Sequence, residues 1–429
     1  MTSAVHATEQ MLFNVLLQLI VMIAAARLFN TVFRRIGQPG VVGEIVAGLL
    51  LGPSLFGHLF PDASIALFGA TANPAITTIS QIGLILLMFQ IGCEFEFGQL
   101  KEPRLRRATV VIATPSIVVP FLLGIGLGEL SADALAPGID PLVYSLFCGV
   151  ALAITAVPIL GRILTEFGLE KNEIGVLAIS AAAINDVVGW VLLAGISAYA
   201  TAALNGAFVL WHLGGLAGFV LVLRFVLAPL ADRLMAWMPV EEGRLPPNLL
   251  AVMLCLMFAL GICTYKLGIF AIFGGFAAGL LFHRHHGFVE AWRGQVGQFV
   301  LVFFLPIFFT FTGLRTDLLG LLALSGGTGL FWLVAACAVA VLGKIVPVYI
   351  AARAAGFAHQ PSLVLGSLMN TRALMELIVL NIGYDLGFLP HAMFTILVAM
   401  AVLTTVMTGP LLRILLPRMG VRIVRAAEA

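Results

Sequence analysis

Long apolar stretches, separated by short polar or Gly/Pro-containing segments, run along the whole chain. A helix of about 20 apolar residues is long enough to cross a hydrocarbon core of about 30 Å. The pattern therefore predicts an all-α polytopic membrane protein with about thirteen transmembrane helices. The predicted spans are residues 10–33, 40–58, 76–97, 105–128, 141–166, 174–201, 206–230, 246–265, 268–283, 294–315, 329–352, 362–384 and 391–416.

The composition fits a membrane protein. The 429 residues are 61% hydrophobic and 10% charged, which is too little charge to cover a soluble protein of this length. A net charge of +2 gives no argument for nucleic acid binding. No basic region precedes the first apolar run, so we expect no cleaved signal peptide. The cysteines form no CxxC pair, and we expect buried small side chains rather than disulfides or a metal site at Cys93, Cys148, Cys255, Cys263 and Cys337.

Basic residues are distributed unevenly between the predicted loops. If the N-terminus is outside and the C-terminus is cytoplasmic, most Lys and Arg residues fall on the cytoplasmic side, among them Lys101, Lys171 and Arg422. Only Lys266 and Arg315 then remain outside. Because cytoplasmic loops carry an excess of Lys and Arg, this orientation in a plasma (bacterial inner) membrane is the predicted one.

The sequence contains an internal repeat. The string VGEIVAGLL at 42–50 in the second span resembles FGGFAAGLL at 273–281 in the ninth. The string FQIGCEFEF at 89–97 resembles TFTGLRTDL at 310–318 in the tenth, with a shared glycine and an acid four residues later. Related spans are seven apart, an odd number, so the two copies cross the bilayer in opposite directions. This is the inverted-repeat construction of many secondary transporters.

One acidic residue lies deep in the sixth span. Asp186 follows Asn185 within about 28 mostly apolar residues, and its own helix supplies no cationic neighbour. A charge at mid-membrane is unfavourable by about 2.5–3.5 kcal/mol, so its retention indicates a function. The carboxylate can take a proton or a dehydrated cation but not both, and Asn185 adds an oxygen suited to an alkali cation. A structural Asp bonded to a neighbouring helix is the alternative.

Two spans are predicted to be interrupted near the middle of the membrane. In the fifth, Thr155 is followed by Pro158, whose missing N–H breaks the helical ladder. In the twelfth, the polar string Asn370, Thr371, Arg372 marks the corresponding interruption. Arg372 and Glu376 are four residues apart, a spacing that allows them to pair on one helical face. Interruptions in corresponding spans of two halves indicate a transport site. A simple proline kink and an edge ion pair remain open as alternatives.

Three further features have charge in or beside the membrane. Lys344 in the eleventh span needs a partner, for which Asp186 across the bundle is a candidate, unless the lysine reaches an interface. Glu44 lies in a glycine-rich helix and either lines an entrance or supports helix packing. The group His283, His285 and His286 in a short loop could bind metal or sense pH, or be an ordinary solvated basic loop.

At these positions the sequence resembles the monovalent cation:proton antiporter-2 family, most closely the plant CHX-type exchangers and their bacterial Kef-type relatives. The strings that carry the resemblance follow the family order and cover nearly all of residues 10–416. They are GEIVAGLLLGPS, ITAVPILGRIL, SAAAINDVVGWVLLA, LPIFFTFTGLRTDL, GKIVPVYIA, GSLMNTRALMELIVLNIG and LTTVMTGP.

The resemblance implies a homodimer with two parts. A scaffold and dimer-forming part would comprise roughly residues 10–97 and 206–315, and a mobile transport core roughly 105–201 and 329–416. In that fold two broken helices cross near the ion site. An elevator-like motion of the transport core presents this site alternately to the two sides of the membrane. By analogy Asp186 binds cation and proton in turn, with Asn185 and Thr155 beside it. Lys344, Arg372 and Glu376 would compensate charge, and Glu44, Asn370 and Thr371 would line the pathway.

Two departures from the family pattern refine this expectation. Electrogenic sodium exchangers of this fold carry two adjacent acids, whereas the first position here is Asn185. The resemblance and the single acid together favour electroneutral exchange of one K⁺ or Na⁺ for one proton. We expect no cofactor and no enzymatic activity, since the sequence shows no catalytic constellation and no cofactor loop. The sequence ends at Ala429, so we also expect no soluble regulatory domain. A sodium-coupled organic-anion symporter, a channel and a transport-inactive ion or pH sensor are the competing functions.

Overall fold

The computed structural model describes residues 2–69, 73–94, 103–169, 172–201, 206–240, 243–267, 270–323 and 327–420. These residues form α-helices and contain no β-strand. Single π-helical turns occur at Leu223–Leu227, Arg293–Gly297 and Val300–Phe304. The helices are α1 (Thr2–Arg35), α2 (Gly40–Leu51), α3 (Phe56–Leu59), α4 (Pro61–Phe68), α5 (Pro74–Cys93), α6 (Pro103–Leu135), α7 (Pro141–Ala153), α8 (Val157–Glu166), α9 (Glu173–Thr201), α10 (Gly206–Val222), α11 (Ala228–Trp237), α12 (Pro247–Lys266), α13 (Ala271–Phe282), α14 (His286–Trp292), α15 (Leu305–Leu314), α16 (Leu318–Leu322), α17 (Thr328–Ala354), α18 (His359–Met369), α19 (Leu374–Asp385) and α20 (His391–Arg418).

The prediction of an all-helical membrane protein is confirmed, whereas the number thirteen is not. Eleven segments of the described chain are long and apolar enough to cross a membrane, and two apolar helices, Pro141–Ala153 and Ala271–Phe282, are shorter. The first of these is short because the predicted fifth span leaves the helical conformation after Ala153. The basic residues Lys101, Lys171 and Arg422, which support the predicted orientation, lie outside the described residues.

One compact unit comprises residues 1–23, 67–97 and 194–311. Within it α13 packs against α5 and α12. Glycines permit this close approach: a Cβ on Gly279 would collide with the backbone carbonyl of Phe89, and one on Gly274 with the backbone of Leu260. Aromatic side chains fill the adjacent core, where the rings of Phe89 and Trp292 meet edge to face with centroids 4.5 Å apart.

The second compact unit comprises residues 24–66, 98–193 and 312–429. Here α6 packs along α7 and α17, and α20 lies against α17, α18 and α19. In the segment His359–Asp385, which contains α18 and α19, an apolar stretch of 18 residues is 94% buried inside the protein, which leaves it almost no surface for lipid. A helix pair surrounded by protein on all sides can carry polar groups at membrane depth, because neighbouring helices supply partners.

The cysteines differ from the expectation at two positions. Cys93 and Cys148 are buried, and Cys337 is intermediate. The prediction of burial is wrong for Cys255 and Cys263, which are exposed on α12. An apolar side chain on the outside of a membrane helix can contact lipid, so the apolar pattern of this segment does not report burial inside the protein.

Candidate functional site

The second unit contains two helix interruptions. The chain leaves the helical conformation between the end of α7 at Ala153 and the start of α8 at Val157. Pro158 stands in the first turn of α8, where a backbone N–H has no helical acceptor, so a proline fits this position but could not continue α7. The second interruption separates α18 from α19. It contains Ala373, whose φ of 82° is rare for a residue with a side chain.

The two interruptions touch each other. The N–H of Ala156 donates a hydrogen bond to the carbonyl of Thr371 at 3.2 Å. The hydroxyl of Thr155 donates to the carbonyl of Met369, the last residue of α18, at 3.1 Å. Backbone groups that leave a helix must find other partners when they are buried, and here each break supplies them to the other.

Two buried cations occupy the C-terminal end of α7. The ammonium of Lys344 donates to the carbonyls of Ala153 and Ser116, the latter at 2.7 Å. The guanidinium of Arg372 donates to the carbonyl of Leu152 at 2.7 Å and also to that of Ala151. Both side chains are 0% exposed. The last carbonyls of a helix lack helical donors and carry partial negative charge, so positive groups stabilise this end.

The carboxylate of Asp186 lies at the opposite end of the interruption. The side chain is 2% exposed. Among the described residues, neither carboxylate oxygen makes a hydrogen bond of normal geometry. The N–H of Val157 at the start of α8 and the ammonium of Lys344 both attract this carboxylate electrostatically. A buried acceptor without a partner is unfavourable by about 1–3 kcal/mol, and more when charged. The geometry therefore leaves this group ready for a proton or a cation.

Asn185 connects the acidic residue to the crossing. Its amide nitrogen donates to the Ser116 hydroxyl at 2.9 Å and to the Thr155 hydroxyl at 3.3 Å. The amide and hydroxyl groups of Asn185 and Thr155 thus have protein partners in this structure. Their roles as cation ligands remain predictions.

The structure differs from expectation in how the charges pair. Lys344 makes hydrogen bonds to carbonyls, and no ion pair within 4.0 Å joins it to Asp186 in the part of the chain that is described. Arg372 and Glu376 do form an ion pair, with 3.9 Å between Nη1 and Oε2. They do not share a helical face, because Arg372 lies in the interruption and only Glu376 belongs to α19.

Further buried oxygens lack hydrogen-bond partners near the second interruption. Among the described residues, these are Oδ1 of Asn370, Oγ1 of Thr371 and both carboxylate oxygens of Glu376. All three side chains are 0% exposed. Most buried polar atoms in proteins have a hydrogen-bond partner, so this group of buried oxygens without hydrogen bonds is a candidate place for cation binding.

The remaining predicted residues lie in different surroundings. Glu44 is buried in α2, accepts a hydrogen bond from the amide of Asn30 at 2.7 Å and lies 3.5 Å from Arg27. His285 pairs with Asp232 at 3.0 Å. No set of three His, Cys, Asp or Glu side chains in the described residues is arranged to hold a metal ion.

Two contributors to the site were not predicted. Ser116 on α6 contacts both Asn185 and Lys344, and the hydroxyl of Thr405 on α20 accepts the N–H of Arg372 at 3.2 Å. Hydroxyl residues are common in apolar spans, so a Ser or Thr alone does not indicate a functional site. The prolines Pro115 and Pro120, which interrupt the hydrogen bonding of α6 on either side of Ser116, are the sequence feature that marks this position.

Comparison with known proteins identifies one family and relatives that are all named as cation/proton antiporters. The profile of the family described as "Sodium/hydrogen exchanger, transmembrane" matches residues 19–418. The chain is 37% identical to the Na(+)/H(+) antiporter NhaS4 of Synechocystis sp., over 93% of this chain and 96% of that protein. It is 36% identical to Cation/H(+) antiporter 17 of Arabidopsis thaliana, over 94% of this chain and 48% of that protein.

The K(+)/H(+) antiporter 1 of Saccharomyces cerevisiae is 30% identical, over 95% of this chain and 47% of that protein. The chain thus spans about half the length of these plant and yeast relatives. Among solved structures, the sodium proton antiporter MjNhaP1 from Methanocaldococcus jannaschii at pH 8 matches with a TM-score of 0.67 and 14% identity. That match covers 94% of this chain and 97% of the other, and it shows a shared fold.

Proposed function

Since the chain belongs to the sodium/hydrogen exchanger transmembrane family, we propose that it exchanges a monovalent cation, K⁺ or Na⁺, for a proton across the membrane. The relatives are Na⁺/H⁺ and K⁺/H⁺ antiporters, which supports cation/proton exchange. The observation that carries the proposal is the buried carboxylate of Asp186, which makes no hydrogen bond of normal geometry among the described residues and lies beside two touching helix interruptions.

Exchange follows from competition at this carboxylate. Asp186 holds either a proton or a dehydrated cation, so the loaded site carries the same charge in both states. The two buried cations, Lys344 and Arg372, are held by backbone carbonyls and remain in place while the ions alternate. One proton is therefore exchanged for one cation, and the exchange is electroneutral. A second acid beside Asp186 would allow a second proton, but Asn185 occupies that position.

Further oxygens are available for the cation. Alkali cations bind carboxylate, carbonyl and hydroxyl oxygens, usually several at once. We assign the unpartnered oxygens of Asn370 and Thr371 to the ion pathway, together with Glu44 nearer its entrance. Thr155 and Asn185 contribute oxygens if their present hydrogen bonds open when the ion binds.

Alternating access is assigned to an elevator-like motion in a homodimer. The transport core comprises roughly residues 105–201 and 329–416, and the scaffold roughly 10–97 and 206–315. The N-terminus lies outside and the C-terminus in the cytoplasm, with the protein in the plasma (bacterial inner) membrane. The two halves of the chain form an inverted repeat. The internal sequence repeat supports the inverted repeat, and the distribution of basic residues supports the orientation. The homodimer, the two parts and the elevator-like motion rest on membership of the family.

Everted vesicles provide the test. An added cation should drive protons out of the acidified lumen and restore the fluorescence of a pH-sensitive dye. The variant Asp186→Asn keeps the size and polarity of the side chain but binds neither a proton nor a cation tightly, and should give no response. The variant Asp140→Asn is a matched control, since Asp140 caps α7 through the N–H of Val143 at 3.0 Å, away from the interruption.

Normal exchange by the Asp186→Asn protein would reject the mechanism. The same vesicles separate the competing functions. A sodium-coupled symporter would take up an organic anion without moving protons, and a sensor would move neither ion. Titrations with Na⁺, K⁺, Rb⁺ and Li⁺ at one pH identify the preferred cation.

A further inference from the structure

The acceptor for Lys344 is created by a proline one turn away. In α6 the carbonyl of Ser116 would normally accept the N–H of residue 120, four positions later. That residue is Pro120, which has no N–H, so the helix leaves the carbonyl of Ser116 without its usual partner. The ammonium of Lys344 donates to this carbonyl at 2.7 Å.

The two helices lie close together at a glycine. Gly343 precedes Lys344 on α17, and a Cβ placed there would lie 2.9 Å from Cδ1 of Leu123 and 3.6 Å from Cα of Pro120. The first distance is too short for an unstrained contact. At residue 343, α17 thus lies in van der Waals contact with the proline-containing turn of α6, and Lys344 reaches the freed carbonyl.

The same residue also contacts the neighbour of the acidic group. The hydroxyl of Ser116 accepts the amide N–H of Asn185 at 2.9 Å. Ser116 is 0% exposed, and its carbonyl and hydroxyl therefore connect Lys344 and Asn185 inside the protein. The second acceptor of Lys344, the carbonyl of Ala153, belongs to the end of α7.

We propose that Ser116 and Pro120 are positioning residues of the exchange site, which hold the Lys344 ammonium on backbone carbonyls and thereby keep the Asp186 carboxylate open to ions. The proposal rests on the proposed function, because it describes how the same site avoids an internal ion pair. Without the carbonyl of Ser116, the ammonium turns to the nearby carboxylate and competes with the transported cation.

The test replaces each of the two prolines within α6. Pro120→Ala restores the N–H that bonds to the carbonyl of Ser116, so Lys344 must share this acceptor and keeps only the carbonyl of Ala153 to itself. Pro115→Ala restores the bond to the carbonyl of Val111, a residue that is 37% exposed. In proteoliposomes, Pro120→Ala should raise the apparent KM for the cation roughly five- to tenfold, the effect of about one hydrogen bond, with Vmax within about twofold of wild type. Pro115→Ala should change neither.

A second measurement does not depend on transport. The melting temperatures of Pro120→Ala, Lys344→Ala and the double variant are compared in detergent, and the same cycle is made with Pro115→Ala. The loss in the Pro120/Lys344 double variant should be smaller than the sum of the two single losses, while the Pro115/Lys344 losses should add. Equal KM values for the two proline variants, or additive losses in both cycles, would overturn the proposal. If the wild-type protein showed no exchange, the proposed function would be overturned instead. The double-mutant cycle would still test whether Lys344 and Pro120 are coupled through the carbonyl of Ser116.

Discussion

Gly48 of α2 lies directly against Gly313 of α15, so that a Cβ on Gly313 would collide with the carbonyl of Gly48. The other copies of the two repeated strings make the same contact within the other unit. There Gly279 of α13 lies against Gly92 of α5. In each case the seventh residue of one string contacts the fourth residue of the string from the other half of the chain. Two equivalent glycine contacts support the proposal that the halves are an inverted repeat.

Glycine-to-alanine substitutions test this packing. Gly313→Ala and Gly279→Ala each force a methyl group into a neighbouring backbone, and we expect each to destabilise the protein by about 1–3 kcal/mol. At Gly126 on α6, a Cβ would meet no heavy atom within 4 Å, so Gly126→Ala should be neutral or stabilise by about 0.5–1 kcal/mol. Melting temperatures in detergent measure the effect. A neutral result at only one of the two packed positions would argue against equivalent contacts.

Much of the site could be predicted from the sequence because its parts are conspicuous in an apolar chain. Asp186 is a carboxylate in the middle of a span, and Pro158 marks the first interruption. Geometry was harder to predict. The sequence predicted the interruption of the twelfth span and the ion pair of Arg372 with Glu376, but it placed both residues on one helical face, whereas Arg372 lies in the interruption and only Glu376 belongs to α19.

The position of Lys344 could not be predicted for a different reason. Its partners are the backbone carbonyls of Ser116 and Ala153, and a carbonyl is present at every residue. The carbonyls of Ser116 and Ala153 can bind Lys344 because they lack helical N–H donors, the first owing to Pro120 in α6 and the second because α7 ends there. Side-chain charge suggested Asp186 as the partner because a sequence displays carboxylates but not free carbonyls.

The backbone of Ala373 offers a test of strain in the second interruption. Its φ of 82° and ψ of −103° lie in a region that glycine occupies readily and alanine avoids. Such a conformation is unfavourable by about 1–3 kcal/mol, so Ala373→Gly should stabilise the protein by about 1 kcal/mol after the entropy of the extra glycine is counted. Thermal melting in detergent should show a higher midpoint.

A buried helical alanine provides the control for that substitution. Ala352 lies in α17 and is 0% exposed. Ala352→Gly should lower stability by about 1 kcal/mol, since glycine is unfavourable inside a helix. Equal losses for the two variants would mean that the conformation of Ala373 is not strained.

Competition at one carboxylate predicts a specific dependence on pH. If Asp186 holds a proton or a cation but never both, protons raise the apparent KM for the cation and leave Vmax unchanged at saturating cation. The increase approaches tenfold per pH unit in the acidic range. Initial rates of exchange in proteoliposomes, measured over a matrix of pH and cation concentration, determine both constants. A fall in Vmax at constant KM would indicate separate sites for the two ions.

The residue beside Asp186 determines whether exchange moves net charge. Asn185→Asp places a second acid next to the first, and it also removes the N–H donors that now bind the hydroxyls of Ser116 and Thr155. With two acids, two protons can leave when one cation enters, so exchange should become sensitive to an imposed membrane potential, while the wild-type rate stays constant. Asn185→Ala loses the same donors without adding an acid and should remain insensitive. Because this pair of variants separates the added charge from the lost hydrogen bonds, a potential-independent rate for active Asn185→Asp protein would show that one acid does not set the stoichiometry.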